Sequence, residues 1–174
     1  GGAVELRRCV LEDNTAAGSG GAICANGVAS LLLAESTLRR NRAGQGTLWL
    51  EGVPDAAIDA CRFVGNVVAG DAGGIGLWAS TAVVRSSVLA CNEAGHGGGL
   101  YALDHSDVSL VYCTATANHV SAYGGALRAA DGSSVAASNC ILWGNAADGG
   151  GAELSLCANA SATLAYCDVP AGGP

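Results

Sequence analysis

The sequence contains no lysine and no methionine, one phenylalanine and three prolines, and aromatic residues make up only 5% of its 174 positions. Half of the residues are apolar all the same, so any interior has to be filled by many small and branched side chains rather than by a few large rings. That composition suits a narrow, repetitive core. With eight arginines as the only strong bases and a formal charge of −7, no clustered basic surface of the kind that draws a phosphate backbone is on offer, which excludes nucleic acid as a partner. The longest apolar runs, such as residues 28–34, fall far short of the roughly 18 to 20 residues needed to cross a bilayer, and no membrane insertion is expected.

Eight cysteines are too sparse for a disulfide scaffold of this length, and none falls in a Cys-x-x-Cys pair of the kind that holds zinc, so neither a metal nor a cofactor is expected. No charged-then-apolar leader with a small-residue cleavage site is present, and any secretion signal is expected outside this chain. Composition does not shift along the sequence. The reading is therefore a single domain over 1–174.

What the sequence does contain is a repeat. An asparagine closes a short motif six times, at Asn14, Asn41, Asn66, Asn92, Asn118 and Asn145, with spacings of 27, 25, 26, 26 and 27 residues. Five residues before each stands a small polar or thiol residue, Cys9, Ser36, Cys61, Ser87, Cys113 and Cys140, and Cys167 continues the series. Ahead of that column run two aliphatic ones two residues apart, Leu6, Leu33, Ile58, Val84, Leu110, Ala137 and Leu164, and Val4, Leu31, Ala56, Ala82, Val108, Val135 and Ala162. Period two means a strand with one buried face. After each asparagine comes a glycine-rich turn and a second short apolar segment, as in Gly20-Gly-Ala-Ile23 and Gly124-Gly-Ala-Leu127, with Gln45-Gly46 departing from the pattern in the third coil.

No stretch carries a 3.6-residue amphipathic period, which excludes a helical solenoid. Stacking such units at roughly 4.8 Å pairs each strand with its copies above and below. The fold expected is all-β: a right-handed parallel β-helix (β-solenoid) of about 6 to 7 coils of roughly 26 residues. An inward asparagine at each corner then hydrogen-bonds along its own ladder and satisfies backbone groups that the bend leaves unpaired, and glycine is expected to supply the positive φ of the corner. Two readings stand for the thiol column. Cys113, Cys140 and Cys167 lie on successive coils within disulfide range, but serines at the same level in other coils favour packed, free thiols.

Gly-Gly-Ala-(Ile/Leu) at 20–23 and 124–127, with Phe-x-x-Asn at 63–66 and its Leu-x-x-Asn variants, resembles the chlamydial polymorphic membrane protein repeat, over nearly the whole chain. That resemblance implies a right-handed parallel β-helix outside the cytoplasm, in the passenger region of an adhesin.

Parallel β-helices also host pectin-degrading enzymes, which need paired carboxylates or a base beside an acidic calcium cluster. Gly95-His96-Gly97 echoes the Gly-His-Gly of polygalacturonases, but their accompanying Asn-Thr-Asp, Asp-Asp and Arg-Ile-Lys elements are missing. Asp104, His105 and Asp107 form the densest ionisable cluster and read as a solvated loop. His119 reads as a surface turn residue. Asp71 and Asp148 precede Gly-Gly turns, where aspartate caps a turn through its own backbone. Asn159-Ala-Ser161 is an N-glycosylation sequon in a loop between strands.

The leading expectation is a non-enzymatic structural or adhesive segment of an extracellular or cell-surface protein. The alternatives are a carbohydrate-active β-helix, either lyase, hydrolase or glycan-binding rod, and an ice-binding solenoid. Charged side chains do not converge on the outward column Arg7, Ala34, Asp59, Arg85, Val111, Ser138 and Ala165, which speaks against the first. The outward column Glu5, Leu32, Ala57, Val83, Ser109, Ala136 and Thr163 is too irregular for ice, yet apolar enough to favour a covering partner. Trp49 and Trp78, near one strand, would suit a lectin-like surface. Gly1-Gly2 lies only eight residues before Cys9, and Gly172 stands where the next asparagine would fall, so the chain is expected to be a segment of a longer stack. Further coils of the same polypeptide, self-association, or other surface proteins or glycans are the expected partners.

Overall fold

The computed structural model describes residues 1–170. Each coil visits four parallel sheets in turn. A representative coil runs Thr81–Arg85 in the first sheet, Val88–Ala90 in the second, Glu93–Ala94 in the third and Leu100–Leu103 in the fourth. Every strand pairs in parallel with its counterparts one coil away, and no helix forms among the described residues. The third sheet is absent from the sequence pattern because its strands are only two residues long, too short to show alternation.

Both aliphatic columns stack in register inside the first sheet, with Leu31 against Ala56 and Leu33 against Ile58, and Val84 against Leu110. The fourth sheet adds Leu48, Ile75, Leu100 and Leu127, all with zero exposure, and the second adds Leu38, Phe63 and Leu89. One continuous core results. Its single phenylalanine is fully buried beside leucines and alanines, as an interior poor in rings demands.

Corners are built by a left-handed residue followed by an inward polar one. Arg8, Glu35, Ala60, Ser86, Tyr112, Asn139 and Tyr166 take φ between 48° and 55° immediately before the cysteine/serine column. Before the asparagine column the same role falls to Asp13, Arg40, Gly65, Cys91, Ala117 and Gly144. Glycine therefore does not supply the positive φ at most corners, contrary to expectation. The left-handed conformation costs an L-residue roughly 1 to 2 kcal/mol, and here the bonds made by the next residue offset that cost.

Those bonds fill every valence of the asparagine amide. Asn66 Nδ2 donates to the Leu38 carbonyl at 3.0 Å and to Asn92 Oδ1 at 2.9 Å. Its Oδ1 accepts from the backbone N–H of Asn41 at 3.0 Å and from Asn41 Nδ2 at 3.0 Å. Asn41, Asn92 and Asn118 repeat the arrangement. Asn14, exposed in the first coil, donates to Asn41 Oδ1. At Asn145 the acceptor is a carboxylate: Glu153 Oε1 takes the backbone N–H at 3.2 Å and Oε2 takes the side-chain amide. The position of Gly172 lies outside the described residues.

The cysteine/serine column makes the same bond at alternate coils, with the N–H of Cys9 on Ser36 Oγ at 3.1 Å, that of Cys61 on Ser87 Oγ at 3.0 Å, and that of Cys113 on Cys140 Sγ at 3.4 Å. All eight cysteines are free in the structure. Burial pushes the Cys61 thiol up, and a side-chain hydrogen bond with Cys113 together with burial pushes Cys140 up further, so both stay as packed thiols at neutral pH. Cys167 is half-buried and donates to the Ala137 carbonyl. A third ladder, unread in the sequence, closes the corner between the fourth and first sheets: Val53 N–H to Ser80 Oγ, Ser80 N–H to Ser106 Oγ and Ser106 N–H to Ser133 Oγ, all within 3.0 to 3.1 Å.

Replacing Asn66 by Ala leaves the buried Asn41 N–H without its acceptor and takes one of its donors from the Leu38 carbonyl, at a cost of about 1 to 3 kcal/mol for the orphaned N–H. Chemical denaturation should show a corresponding loss of stability, whereas Asn159→Ala, at an exposed turn with φ 61°, should lose only the roughly 1 kcal/mol by which alanine suits that backbone less well than asparagine. An unchanged midpoint for the Asn66 variant contradicts the ladder's energetic role.

Candidate binding face

Outward side chains of the fourth sheet stack into two columns. One runs Cys24, Trp49, Gly76, Tyr101, Arg128 and Ser155, and the other places Asn26, Glu51, Trp78 and Leu103 in line. The glycine-rich segment that precedes each of these strands folds back over the sheet, stacking Asp71 on His96 and Tyr123 on Gly150. That segment can lie so close because glycine stands where it crosses the sheet: a Cβ on Gly97 would come within 2.6 Å of Tyr101 Cβ. Folding over covers part of the outer face, so Trp49 and Tyr101 are only 6% and 7% exposed although they point away from the main core. With Ala72 and Ala130 they form a second, smaller apolar cluster.

Polar chemistry gathers around that cluster. His96 Nδ1 lies 2.7 Å from Asp71 Oδ1, a contact that assigns the proton to Nδ1 and leaves Nε2 as an acceptor in the neutral ring. Gln45 Oε1 accepts from the Asp71 backbone N–H at 3.1 Å. The imidazole stacks on Tyr123 with ring centres 6.0 Å apart and an interplanar angle of 19°, and stands 6.1 Å from Tyr101. The Arg128 guanidinium completes the group, 5.1 Å from the Tyr123 ring centre and 5.5 Å from that of Tyr101. Its terminal nitrogens reach Cys157 Sγ at 3.3 Å and Ser155 Oγ at 3.5 Å, while Nε is buried without a partner. Burial pushes the Tyr101 phenol up despite the neighbouring arginine, so it remains protonated at neutral pH.

A few ångströms along the axis the same face opens into a cleft of about 270 Å³ walled by Trp49, Trp78 and Leu103, with Glu51 and Asp71 as its charged groups. The Trp49 ring lies across Gly76, where a Cβ would come within 2.4 Å and 2.6 Å of its Cε3 and Cζ3.

The asparagine and cysteine/serine columns thus point inward and serve the corners. Asp71 does not cap its own turn but pairs with a histidine one coil on, because the stacked loops bring the two side chains into contact. Charged groups from successive coils do converge on an outward face, contrary to expectation, and they do so on the fourth sheet rather than on the first. Asp104 contacts the 81%-exposed His105 at 3.2 Å, and Asp107 accepts from Ser134, so that cluster is dispersed among neighbours. Among the described residues no group of three or more His, Cys, Asp and Glu is placed to hold a metal. His119 Nε2 lies 3.2 Å from Asp148, both exposed. Asn159 is exposed with φ 61°. Tyr101, Tyr123 and Arg128 went unread in the sequence. For Tyr101 and Arg128 the signal was the position after the Ile/Leu column in the strand that follows each Gly-Gly, and for Tyr123 it was the residue just before Gly124-Gly125.

Replacing Gly76 by Ala should lift the Trp49 indole off the sheet. The expected result is a red shift of the intrinsic fluorescence and a lowered melting temperature; an unshifted spectrum would contradict this seating of the ring.

No helix in the described residues is long and apolar enough to cross a membrane. No curated protein and no solved structure matches the chain. The description "Right handed beta helix region" matches residues 1–168, and with nearly the full length covered the chain belongs to the right-handed β-helix family.

Proposed function

We propose that the chain is a non-enzymatic, adhesive segment of an extracellular or cell-surface protein, and that its contacts are made by the outer face of the fourth sheet. The observation that carries this reading is the exposed pair Trp78 and Tyr123 beside the part-exposed Arg128, seated on the covered Trp49 and Tyr101 rings, residue types enriched where proteins bind one another and where sugars stack. Resemblance to the chlamydial polymorphic membrane protein repeat supports a surface location and an adhesive role. Assembly with further coils of the same polypeptide or with a second copy is part of the proposal.

Beads carrying the purified chain should adhere to cultured cells or to immobilised glycans. A Trp78→Ala/Tyr123→Ala double variant should lose most of that adhesion while its melting temperature is kept, since both side chains are more than two-fifths exposed. Adhesion indifferent to both substitutions would sink the proposal.

A second reading, a carbohydrate-active enzyme, draws support from the Asp71–His96 pair beside Arg128, a base and a cation held one to two coils apart. Incubation with pectin, alginate and related uronates is expected to give no cleavage. Turnover that disappears in His96→Ala would replace the adhesive reading with this one.

A further inference from the structure

The cleft between the two indoles has a charge character that the binding face as a whole does not share. Glu51 stands beside Trp78 in the pairing register, and Trp49 beside Gly76, so one carboxylate and two indoles meet across a single pair of strands. The glycine lets the Trp49 ring lean over the neighbouring strand, towards the coil that carries Trp78. Asp71 adds a second carboxylate, shared with His96, and no basic residue lines the cleft. Among the described residues the Glu51 carboxylate has neither an ion-pair partner nor a hydrogen bond, whereas Glu5, Glu12, Asp13 and Asp71 all have ionic partners. Trp78 is 44% exposed, so one wall is open to an incoming group.

We propose that this cleft binds a substituted ammonium ion, primary or methylated, which rests against the exposed Trp78 indole, with the largely covered Trp49 ring as the floor of the cleft, and is neutralised by Glu51. Indole is the ring that attracts a cation most strongly, and the attraction grows as the site is desolvated. An adjacent unpaired carboxylate adds charge attraction, and the net charge of −7 raises the local concentration of cations. A neutral sugar ring would stack on the same indoles but gain nothing from the charge of Glu51, and an anion would be repelled by it. The inference rests on the reading of this face as a binding surface and names the chemistry of one position on it.

Titration calorimetry of the purified chain at low salt tests it with three probes: choline, Nα-acetyl-lysine amide and 3,3-dimethylbutan-1-ol, the uncharged isostere of choline. The expected result is saturable binding of at least one of the two cations, about tenfold or more tighter than the isostere, and weakened by added salt. Preference between choline and the lysine amide separates a methylated head group from a lysine side chain as the source. Trp78→Ala should abolish the binding and Glu51→Gln should weaken it, both with unchanged circular dichroism. Equal affinity for the isostere, indifference to Glu51→Gln, or failure of both cations to bind would overturn the assignment. Should both cations fail while Trp78→Ala/Tyr123→Ala still lowers adhesion, the binding face stands and the ammonium site falls.

Discussion

Every coil of this protein turns on a backbone N–H that the parallel ladder cannot pair. A left-handed residue bends the chain, and the asparagine after it, like Cys9, Cys61 and Cys113 at the other corner, donates to a side chain of the next coil rather than to a carbonyl. Asn, Ser and Cys are the residues small enough to stand inside a corner and able to accept that bond. Only asparagine also donates twice, which is why the tightest series is an unbroken asparagine column: its amide closes one bond to the coil on one side, one to the strand, and two from the coil on the other. A corner made this way tolerates Arg, Asp, Ala or Tyr in the left-handed position, since the conformation is imposed from the following residue rather than chosen by its own side chain.

Space has to be kept for those amides. The position just before the fourth strand reads Ala22, Thr47, Gly74, Gly99 and Ala126, small wherever the next coil's asparagine fills the volume beside it. A Cβ on Gly99 would already touch Asn118 Nδ2 at 3.5 Å. Glu153 is the exception in this column, and its carboxylate occupies the acceptor role that an asparagine Oδ1 plays elsewhere. Side chain size in one column is thus dictated by hydrogen bonding in another, some distance away along the sequence.

This coupling explains what was legible in the sequence. From the first aliphatic position to the asparagine the count is ten residues in all six coils, Val4 to Asn14 through Val135 to Asn145, because any insertion would move the asparagine off its ladder. Fixed spacing is what makes columns visible to the eye. Between the asparagine and the fourth strand the count varies, seven residues from Asn41 to Leu48 and nine from Asn66 to Ile75. The next turn varies too, with eight residues from Leu48 to Ala56 but seven from Ile75 to Ala82. Columns on either side of those turns slip out of phase in a fixed-period reading. The serine ladder of Ser80, Ser106 and Ser133 and the Trp49–Tyr101–Arg128 column were lost for that reason, although the first is as well bonded as the column of Ser36 and Ser87.

The variation falls where the structure tolerates it and where chemistry collects, and the two facts have one cause. Inner positions of the fourth sheet, Leu48, Ile75, Leu100 and Leu127, are fully buried and hold the strand in place whatever faces outward. The outer positions answer to no ladder, so they range over thiol, indole, glycine, phenol, guanidinium and hydroxyl in six successive coils. Loops of varying length then fold across that face and add histidine, tyrosine and carboxylate at the same levels. A rigid frame with one coil every 4.8 Å or so carries a different side chain at each step, and an elongated partner lying along the axis would meet the two indoles and Glu51 first and Arg128 two to three coils later. The face is polarised along the stack, with its acidic cleft at one end and its guanidinium at the other.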